Sequence, residues 1–192
     1  MTHSLKNDEG VDAILDGNIV LKTVRGLNSS GYCDMVYPEE MIEREIKALK
    51  LLKDVNGIQK LIERVSPVMI YTKYMDGKSL RDWKGPLADE YFNKLYLLTK
   101  ECVDRGVYRL GHTQKDFLVR PSGDPGIIDF GNVLFSDDPV AKSMITAARV
   151  SSLRRIHQLR RRFVDKRVES SSIKNFKGIY VVNKYAGAHA VG

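Results

Sequence analysis

Two stretches of the chain carry apolar residues at the three- and four-residue spacing of a helix face. The first contains Ile42, Ile46, Leu49 and Leu52 and predicts a helix around these positions. The second predicts one or two helices between residues 141 and 168. Its stripe is consistent with docking on the body of the protein, and we expect it to comprise Val150, Leu153, Ile156, Leu159 and Phe163.

Runs rich in β-branched residues, bounded by turn formers, predict the strands. Residues 11–18 are interpreted as one strand and a tight Asp16-Gly17 turn, which leads into a second strand at 18–24. Residues 68–74 form a further strand-like run. A short connector follows it, and Gly-Lys-Ser-Leu at 77–80 is interpreted as a helix start.

A β-hairpin is predicted between residues 116 and 131. Strand-forming residues lie on both sides of the stretch 121–126, which is dense in turn formers. The hairpin would bring Asp116 and Asp129 together at its ends. Two carboxylates placed in this way suit a divalent metal ion, although an ordinary hairpin with an acidic residue at each end would give the same pattern.

Together these segments resemble the protein-kinase family over about residues 11 to 136. The strand at 18–24 is similar to the third kinase strand, with Lys22 at the position of the phosphate-pairing lysine. The first helix is similar to the kinase C-helix, with Glu45 as its ion-pairing glutamate. The run 68–80 is similar to the fifth strand, the hinge and the segment after it, and Asp129-Phe130-Gly131 matches the Asp-Phe-Gly motif.

The resemblance implies an α+β, protein-kinase-like bilobal fold that binds ATP and Mg²⁺. It implies that Lys22 and Glu45 act as one unit on the phosphates, because a carboxylate must fix the flexible lysine. Hinge groups of Lys73, Tyr74 and Met75 would bind the adenine edge. The implied metal ligands are Asp129 and Asp116, the latter at the position where kinases have Asn.

The catalytic loop departs from the family. In the ungapped register Arg109-Leu110-Gly111 occupies the His-Arg-Asp positions, so that Gly111 replaces the catalytic aspartate. A gapped register instead sets His112-Thr113-Gln114 there and places an amide at the key position. Neither register supplies the usual base. The candidate substitutes are His112, whose pKa range suits proton transfer, and Asp116 as both metal ligand and base.

Both termini also depart from the family, and they predict a reduced N-lobe and a truncated C-lobe. The first strand and the glycine-rich phosphate lid are expected to be missing or reduced to residues 7–10. We therefore predict a flexible segment at 1–10, a kinase-like domain at 11–168 and a mobile tail at 169–192. Within the domain, the N-lobe is expected at about 11–75 and the C-lobe at about 76–168.

Charge adds a candidate partner surface. The chain of 192 residues carries a net charge of +7, and Arg and Lys are dense in the second helical region, at 149–167. This layout is similar to bacterial kinases of lipopolysaccharide-core sugars and to atypical kinases of the RIO and Bud32 kind. The first comparison implies an anionic membrane surface at the inner leaflet, the second RNA or a ribonucleoprotein. The absence of interleaved aromatic residues slightly favours a membrane, glycan or protein surface.

The remaining composition narrows the location. Two cysteines, Cys33 and Cys102, are too few and too separated for a disulfide framework or a zinc site, which favours a reducing cytoplasm. No apolar run reaches eighteen residues, so any membrane contact is expected to be peripheral.

Three hypotheses about function follow from these observations. They are a phosphotransferase acting on a hydroxyl of a protein or a sugar, a pseudokinase without turnover, and a basic adaptor that keeps only the kinase scaffold.

Overall fold

The first half of the chain forms an antiparallel sheet of five strands. The structure, a computed structural model, describes residues 2–8, 11–25, 38–108, 110, 113–139 and 142–164. The strands run in the order β1-β2-β3-β5-β4 across the sheet. They are β1 (Thr2–Asp8), β2 (Val11–Asp16), β3 (Ile19–Val24), β4 (Leu61–Ser66) and β5 (Met69–Lys73).

The turn between β2 and β3 follows directly from the sequence. Asp16 pairs with Ile19, so two residues connect the strands, and the first of them, Gly17, has a φ of 62°. Glycine adopts this conformation without steric cost, and such turns match the twist of the flanking strands. The predicted hairpin is confirmed.

The amino terminus corrects one prediction. Residues 1–10 were expected to be flexible, with the first strand missing or reduced to 7–10. Instead β1 pairs with β2 from Thr2↔Asp16 to Asp8↔Val11, with a register shift between Ser4 and Lys6. A hydrophobicity pattern does not indicate β1, because the strand is mostly polar. It lies at the edge of the sheet and is held by its pairing with β2.

The predicted first helix is confirmed as α1 (Pro38–Leu51). Proline suits the first helical position, where no intrahelical N–H bond is lost, and Glu39 and Glu40 complement the helix dipole in the first turn. The helix packs on the sheet through one apolar cluster. This cluster comprises Met41, Ile42 and Ile46 of α1 together with Val24 and Ile70 of the strands.

A second lobe follows the connector at residues 74–77. It contains two longer helices, α2 (Asp89–Asp104) and α3 (Lys142–Val164). Its short strands are β6 (Lys78–Ser79), β7 (Val107–Tyr108), β8 (Phe117–Val119), β9 (Pro125–Ile127) and β10 (Leu134–Phe135). Strands β6, β8 and β9 form one sheet, and β7 pairs with β10.

The helix start expected at residues 77–80 is wrong. Lys78 and Ser79 form β6, which pairs with β8, and α2 begins only at Asp89. Gly77, with a φ of 156°, lets the chain pass so close to β8 that a Cβ would lie 2.9 Å from the carbonyl oxygen of Val119. Pairing with a distant strand therefore overrides the local helical pattern.

The second helical region is a single helix, α3, docked on α2. Its buried face comprises Ala148, Ser152, Ile156, Leu159 and Phe163. Three members of the predicted stripe are therefore confirmed, while Leu153 is half-buried and Val150, at 57% exposure, is wrong. Its side chain lies off the face set by the four-residue spacing from Ala148 to Ile156. Within the described residues, no helix is long and apolar enough to cross a membrane.

Removing one ring from this interface should weaken the fold. Phe163 is 3% exposed, and its ring centroid lies 6.2 Å from that of Phe92 on α2. We expect Phe163→Ala to lower the free energy of unfolding by about 3 to 5 kcal/mol, because burial is lost and a cavity remains. Urea denaturation measures this change. Val150→Ala, on the exposed side of α3, is the matched control and should change stability by less than about 0.5 kcal/mol.

Candidate active site

A cavity of about 520 Å³ lies between the five-stranded sheet and the β8–β9 hairpin. Val11, Ala13 and Val20 of the sheet line one side, and Leu118 and Ile128 line the other. The connector between the lobes borders the cavity as well. Two apolar walls with a polar end suit a flat, largely apolar ring system that carries a charged group.

Lys22 lies at the polar end of this cavity between two carboxylates. Along β3 it shares the buried face with Val20 and Val24, because side chains alternate along a strand. Its Nζ donates to Glu45 Oε2 at 2.5 Å and to Asp129 Oδ1 at 2.8 Å. The sequence prediction of a Lys22–Glu45 unit therefore matches the geometry, and Asp129 completes a triad with it.

The charge state of the triad depends on burial and on the charges of its neighbours. Burial lowers the pKa of Lys22, but the adjacent Asp129 and Glu45 carboxylates outweigh it and hold the pKa above its ordinary value. Burial raises the pKa of Glu45, opposed by the charge of Lys22. Lys22 is therefore a fixed cation at the end of the cavity, and Asp129, with 29% of its side chain exposed, presents a carboxylate to the space.

The β8–β9 hairpin brings the two predicted metal ligands to one side of the cavity. Phe117 pairs with Ile127, and the backbone N–H of Ile128 donates to the carbonyl oxygen of Asp116 at 2.9 Å. Asp116 and Asp129 both line the cavity. Asp129 has a φ of 65°, a left-handed conformation that turns the chain sharply as it leaves the hairpin.

Asp116 is held by its own loop. The backbone N–H of Thr113 donates to Asp116 Oδ2 at 2.7 Å, and the Thr113 hydroxyl donates to Oδ1 at 3.1 Å. These two bonds fix the carboxylate of Asp116, and the residue is almost fully buried, with 7% of its surface exposed. His112, Gly111 and Arg109 lie outside the described residues. The role of His112 as a base, and the choice between the two registers of the catalytic loop, therefore stay predictions.

The connector places two of the three predicted hinge residues at the cavity. Tyr74 and Met75 line it, whereas Lys73 is exposed and borders a separate, smaller pocket behind the connector. The N–H of Tyr74 donates to the Asn18 carbonyl at 2.7 Å, which ties the connector to the sheet. Among the described residues, neither the N–H nor the C=O of Met75 has a hydrogen-bond partner.

Two buried residues, one lining the cavity and one beside Met75 of the connector, were not assigned a role from the sequence. Thr72, 1% exposed, accepts a hydrogen bond at 2.9 Å from the side-chain amide of Gln59, and both residues line the cavity. At Gly126 an added Cβ would lie 2.4 Å from the Met75 Sδ, so this glycine makes room for the connector. The signal for Thr72 was its position four residues after Val68 within an apolar strand, where a polar side chain needs a partner.

The donor set fits Mg²⁺ held jointly by protein and phosphate. Across the described ranges there is no cluster of three or more His, Cys, Asp or Glu residues that could hold a metal. Asp116 and Asp129 would thus supply one or two ligands. Mg²⁺ is commonly bound by one or two carboxylates, with substrate phosphates and water completing its octahedron.

Comparisons with known proteins agree with this geometry. No family model matches the chain. It is similar to CBL-interacting serine/threonine-protein kinase 16 of Arabidopsis thaliana, with 31% identity over 101 residues that cover 48% of this chain and 22% of the relative. It is also similar to CBL-interacting protein kinase 21 of Oryza sativa subsp. japonica, with 32% identity over 102 residues, 48% of this chain and 19% of the relative.

Solved structures resemble a larger part of the chain. The Rio2 kinase from Chaetomium thermophilum matches with a TM-score of 0.65 and 17% identity, covering 85% of this chain and 56% of that one. The Rio2 kinase-ADP/Mg²⁺-phosphoaspartate complex from the same organism matches with a TM-score of 0.57 and 20% identity, covering 84% and 56%. The chain thus spans just over half the length of these structures and under a quarter of the curated relatives.

The fold and the site define a protein-kinase-like fold. The predicted α+β, protein-kinase-like bilobal fold is confirmed, and about half of the chain is similar in sequence to curated protein kinases.

Proposed function

We propose that the chain is an ATP- and Mg²⁺-dependent phosphotransferase that acts on a hydroxyl group of a protein or a sugar. The observation that carries the proposal is the position of Lys22, 2.5 Å from Glu45 and 2.8 Å from Asp129 at the end of a cavity with apolar walls. A fixed cation beside a carboxylate that can hold a metal suits a polyphosphate. The kinase-like relatives support the same class of reaction.

Each wall of the cavity has a role in this proposal. The apolar side chains of Val11, Val20 and Leu118 would hold the adenine ring, and the backbone groups of Met75, which have no partner among the described residues, would bind its edge. Lys22, fixed by Glu45, would bind the phosphates. Mg²⁺, when bound, would neutralise phosphate charge. Phosphoryl transfer depends mainly on such positioning and charge neutralisation, so it needs little from a base.

We propose Asp116 as the group that takes the proton of the acceptor hydroxyl. Its carboxylate lies at the cavity, where it is oriented by Thr113. It would orient the acceptor hydroxyl and take its proton at one carboxylate oxygen. His112 is the second candidate from the sequence. The exchange of the family's catalytic aspartate for Gly111 also supports the alternative, a pseudokinase that binds nucleotide without turnover.

The connection that would cover the phosphates is short in sequence. Asp8 pairs with Val11, so only two residues of the sequence separate β1 from β2, and they contain one glycine. Kinases with a glycine-rich loop cover the phosphates with six or more residues. We therefore expect weaker nucleotide binding than in those kinases, with more of the affinity supplied by Lys22 and the metal.

Consumption of [γ-³²P]ATP by the purified protein, with Asp129→Ala as control, tests the proposal. ATP consumption by the parent and none by the control would support a phosphotransferase. MgATP binding without consumption would identify a pseudokinase. Label that remains on the protein and is released by hydroxylamine would indicate an aspartyl phosphate, the group named in the Rio2 complex. A parent that binds no MgATP would leave only the scaffold hypothesis.

We propose that α3, the arginine-rich helix, binds an anionic partner. The contacts of its arginines decide which of them should be replaced to test this. Arg160 forms a two-pronged ion pair with Asp89 of α2, at 2.8 and 3.0 Å, and lowers the pKa of that carboxyl. Arg160 therefore makes a contact within the protein, and replacing it would disturb the packing of α3 on α2. Four exposed arginines of α3 make no ion pair with the described residues, namely Arg149, Arg154, Arg161 and Arg162.

Neutralising Arg154, Arg161 and Arg162 together should weaken binding of the anionic partner and flatten its salt dependence. Exposed charges act over about 10 Å at 0.1 M salt, so the loss should be largest at low ionic strength. Sedimentation with anionic vesicles and RNA gel shifts on one preparation distinguish the partner classes. None of the described α3 residues lines the cavity, so MgATP affinity should stay at the parent value. Unchanged binding to both probes would contradict the proposal.

If the protein binds vesicles, we expect it to be a cytoplasmic protein in peripheral contact with the inner membrane.

A further inference from the structure

The segment after the Asp-Phe-Gly motif lies against α1, and two basic side chains of the helix reach it. Arg44 Nη1 donates to the Val133 carbonyl at 3.1 Å and to Asp138 Oδ2 at 2.8 Å. Lys47 Nζ donates to both oxygens of Asp137, at 2.7 and 2.9 Å. Two neighbouring ion pairs therefore join the same helix to the same segment.

The two pairs differ in burial. The side chains of Arg44 and Asp138 are 19% and 9% exposed, whereas those of Lys47 and Asp137 are 44% and 69% exposed. Asp138 Oδ2 also accepts the backbone N–H of Phe135 at 2.8 Å, so its carboxylate is fixed from its own side. Charge-assisted bonds sheltered from water are strong, whereas exposed ion pairs contribute little.

Arg44 is fixed from its own side as well. Its Nε donates to Glu40 Oε1 at 3.1 Å, one helical turn earlier on α1. A guanidinium held by Glu40, Asp138 and a backbone carbonyl has little freedom to turn away. The adjacent residue in the chain is Glu45, whose carboxylate reaches Lys22. A rotation of α1 that withdrew Glu45 would have to break the bonds from Arg44 to Val133 and Asp138.

We propose that Arg44 and Asp138 are positioning residues that hold α1 in the orientation in which Glu45 reaches Lys22. This inference rests on the proposed function, in which the Lys22–Glu45 unit binds phosphate. Only residues 132–141 lie between the Asp-Phe-Gly motif and α3, too few for a long activation segment, so this ion pair would fix the helix instead. The protein would thus hold its phosphate-binding arrangement without a modification of that segment.

The expected effect follows from populations. If α1 samples orientations in which Glu45 is withdrawn, the apparent affinity for nucleotide falls by the fraction of molecules that remain competent. Loss of a buried charge-assisted contact should make the competent state a minority. We expect Arg44→Met and Asp138→Asn each to raise the Kd for MgATP about tenfold. Arg44→Lys, which keeps the charge but loses the fork, should have an intermediate effect.

The matched control is the exposed pair on the same two elements. Asp137→Asn, which breaks that pair and leaves the contact of Lys47 with the Phe135 ring in place, should change the Kd less than about twofold, as expected for an exposed ion pair. The loss of affinity in the double variant Arg44→Met/Asp138→Asn should be clearly smaller than the sum of the two single losses, because both changes break the Arg44–Asp138 contact. Titration calorimetry at a temperature where all variants are folded measures these values. Unchanged affinity in the Arg44 and Asp138 variants, or fully additive losses, would overturn the proposal.

Hydrogen exchange gives a readout that does not depend on nucleotide. In the protein without nucleotide, Asp138→Asn should speed exchange of the α1 amides relative to Asp137→Asn, while exchange in α2 stays unchanged. Equal exchange in the two variants would exclude the positioning role. If the parent protein bound no MgATP, the proposed function would fail, and the exchange comparison alone would decide whether Arg44 and Asp138 fix the helix.

Discussion

Replacing Lys22 by Met should weaken MgATP binding at least about tenfold, because one charged hydrogen-bond donor to phosphate contributes about 1.5 to 3 kcal/mol. The change also leaves Glu45, 1% exposed, without its partner cation. Breaking one side of a buried ion pair costs about 3 to 5 kcal/mol of stability, so the melting temperature should fall as well. Titration calorimetry and thermal unfolding measure the two effects separately.

Replacing Glu45 by Gln distinguishes the binding of phosphate by Lys22 from the positioning of Lys22 by Glu45. Glu45→Gln keeps the shape of the side chain but no longer fixes the lysine by charge, so nucleotide affinity should fall while less stability is lost. Lys50→Met is the matched control, since Lys50 lies on the exposed face of α1. It is preferable to Lys47, which contacts Asp137 and the Phe135 ring. Equal MgATP affinity in Lys22→Met and the parent would remove Lys22 from the site.

The pH dependence of this unit has a defined sign. The pKa of Lys22 is raised in the folded state, so the stability from its ion pairs is present below the ordinary lysine value of 10.5 and is lost only as pH rises beyond it. Nucleotide binding through Lys22 should therefore show no titration of this group between about pH 6 and about pH 9.

Sequence patterns predicted the elements that position the site because those elements are locally encoded. The face of α1 follows from its apolar spacing, and the β2–β3 turn from Asp16-Gly17. The order of motifs then placed Lys22, Glu45 and Asp129 together, although they come from a strand, a helix and a hairpin. Distances could not be predicted in this way. That Lys22 contacts both carboxylates depends on the packing of α1 between the sheet and the second lobe.

The incorrect predictions share a cause, which is that long-range contacts decide them. β1 is polar and is formed by pairing with β2, and residues 78–79 leave a helix-like pattern to pair with β8. Val150 fell outside the buried face of α3 because the docking surface on α2 selects the stripe that begins at Ala148. The Arg44–Asp138 contact spans 94 residues, and no local pattern marks it.

Replacing Asp129 by Asn should abolish metal-dependent nucleotide binding and lower any turnover at least about a hundredfold, since a metal at the phosphates contributes several kcal/mol to the transition state. The amide keeps the size of the side chain but loses the charge that attracts Mg²⁺ and faces Lys22. Nucleotide binding measured with Mg²⁺ and with EDTA should differ in the parent and agree in the variant. Asp137→Asn, an exposed carboxylate after the same motif, should behave like the parent.

Asp116→Asn separates the metal role from the base role. Kinases carry Asn at this position, so the variant should retain Mg²⁺-dependent nucleotide binding with only modest loss. If Asp116 also accepts the acceptor proton, turnover should collapse while binding persists, because an amide cannot take a proton. His112→Ala should spare binding and lower turnover if the histidine is the base. Turnover that survives in both variants would show that neither group accepts the proton, and the reaction would then rest on positioning by Lys22 and the metal at Asp129 alone.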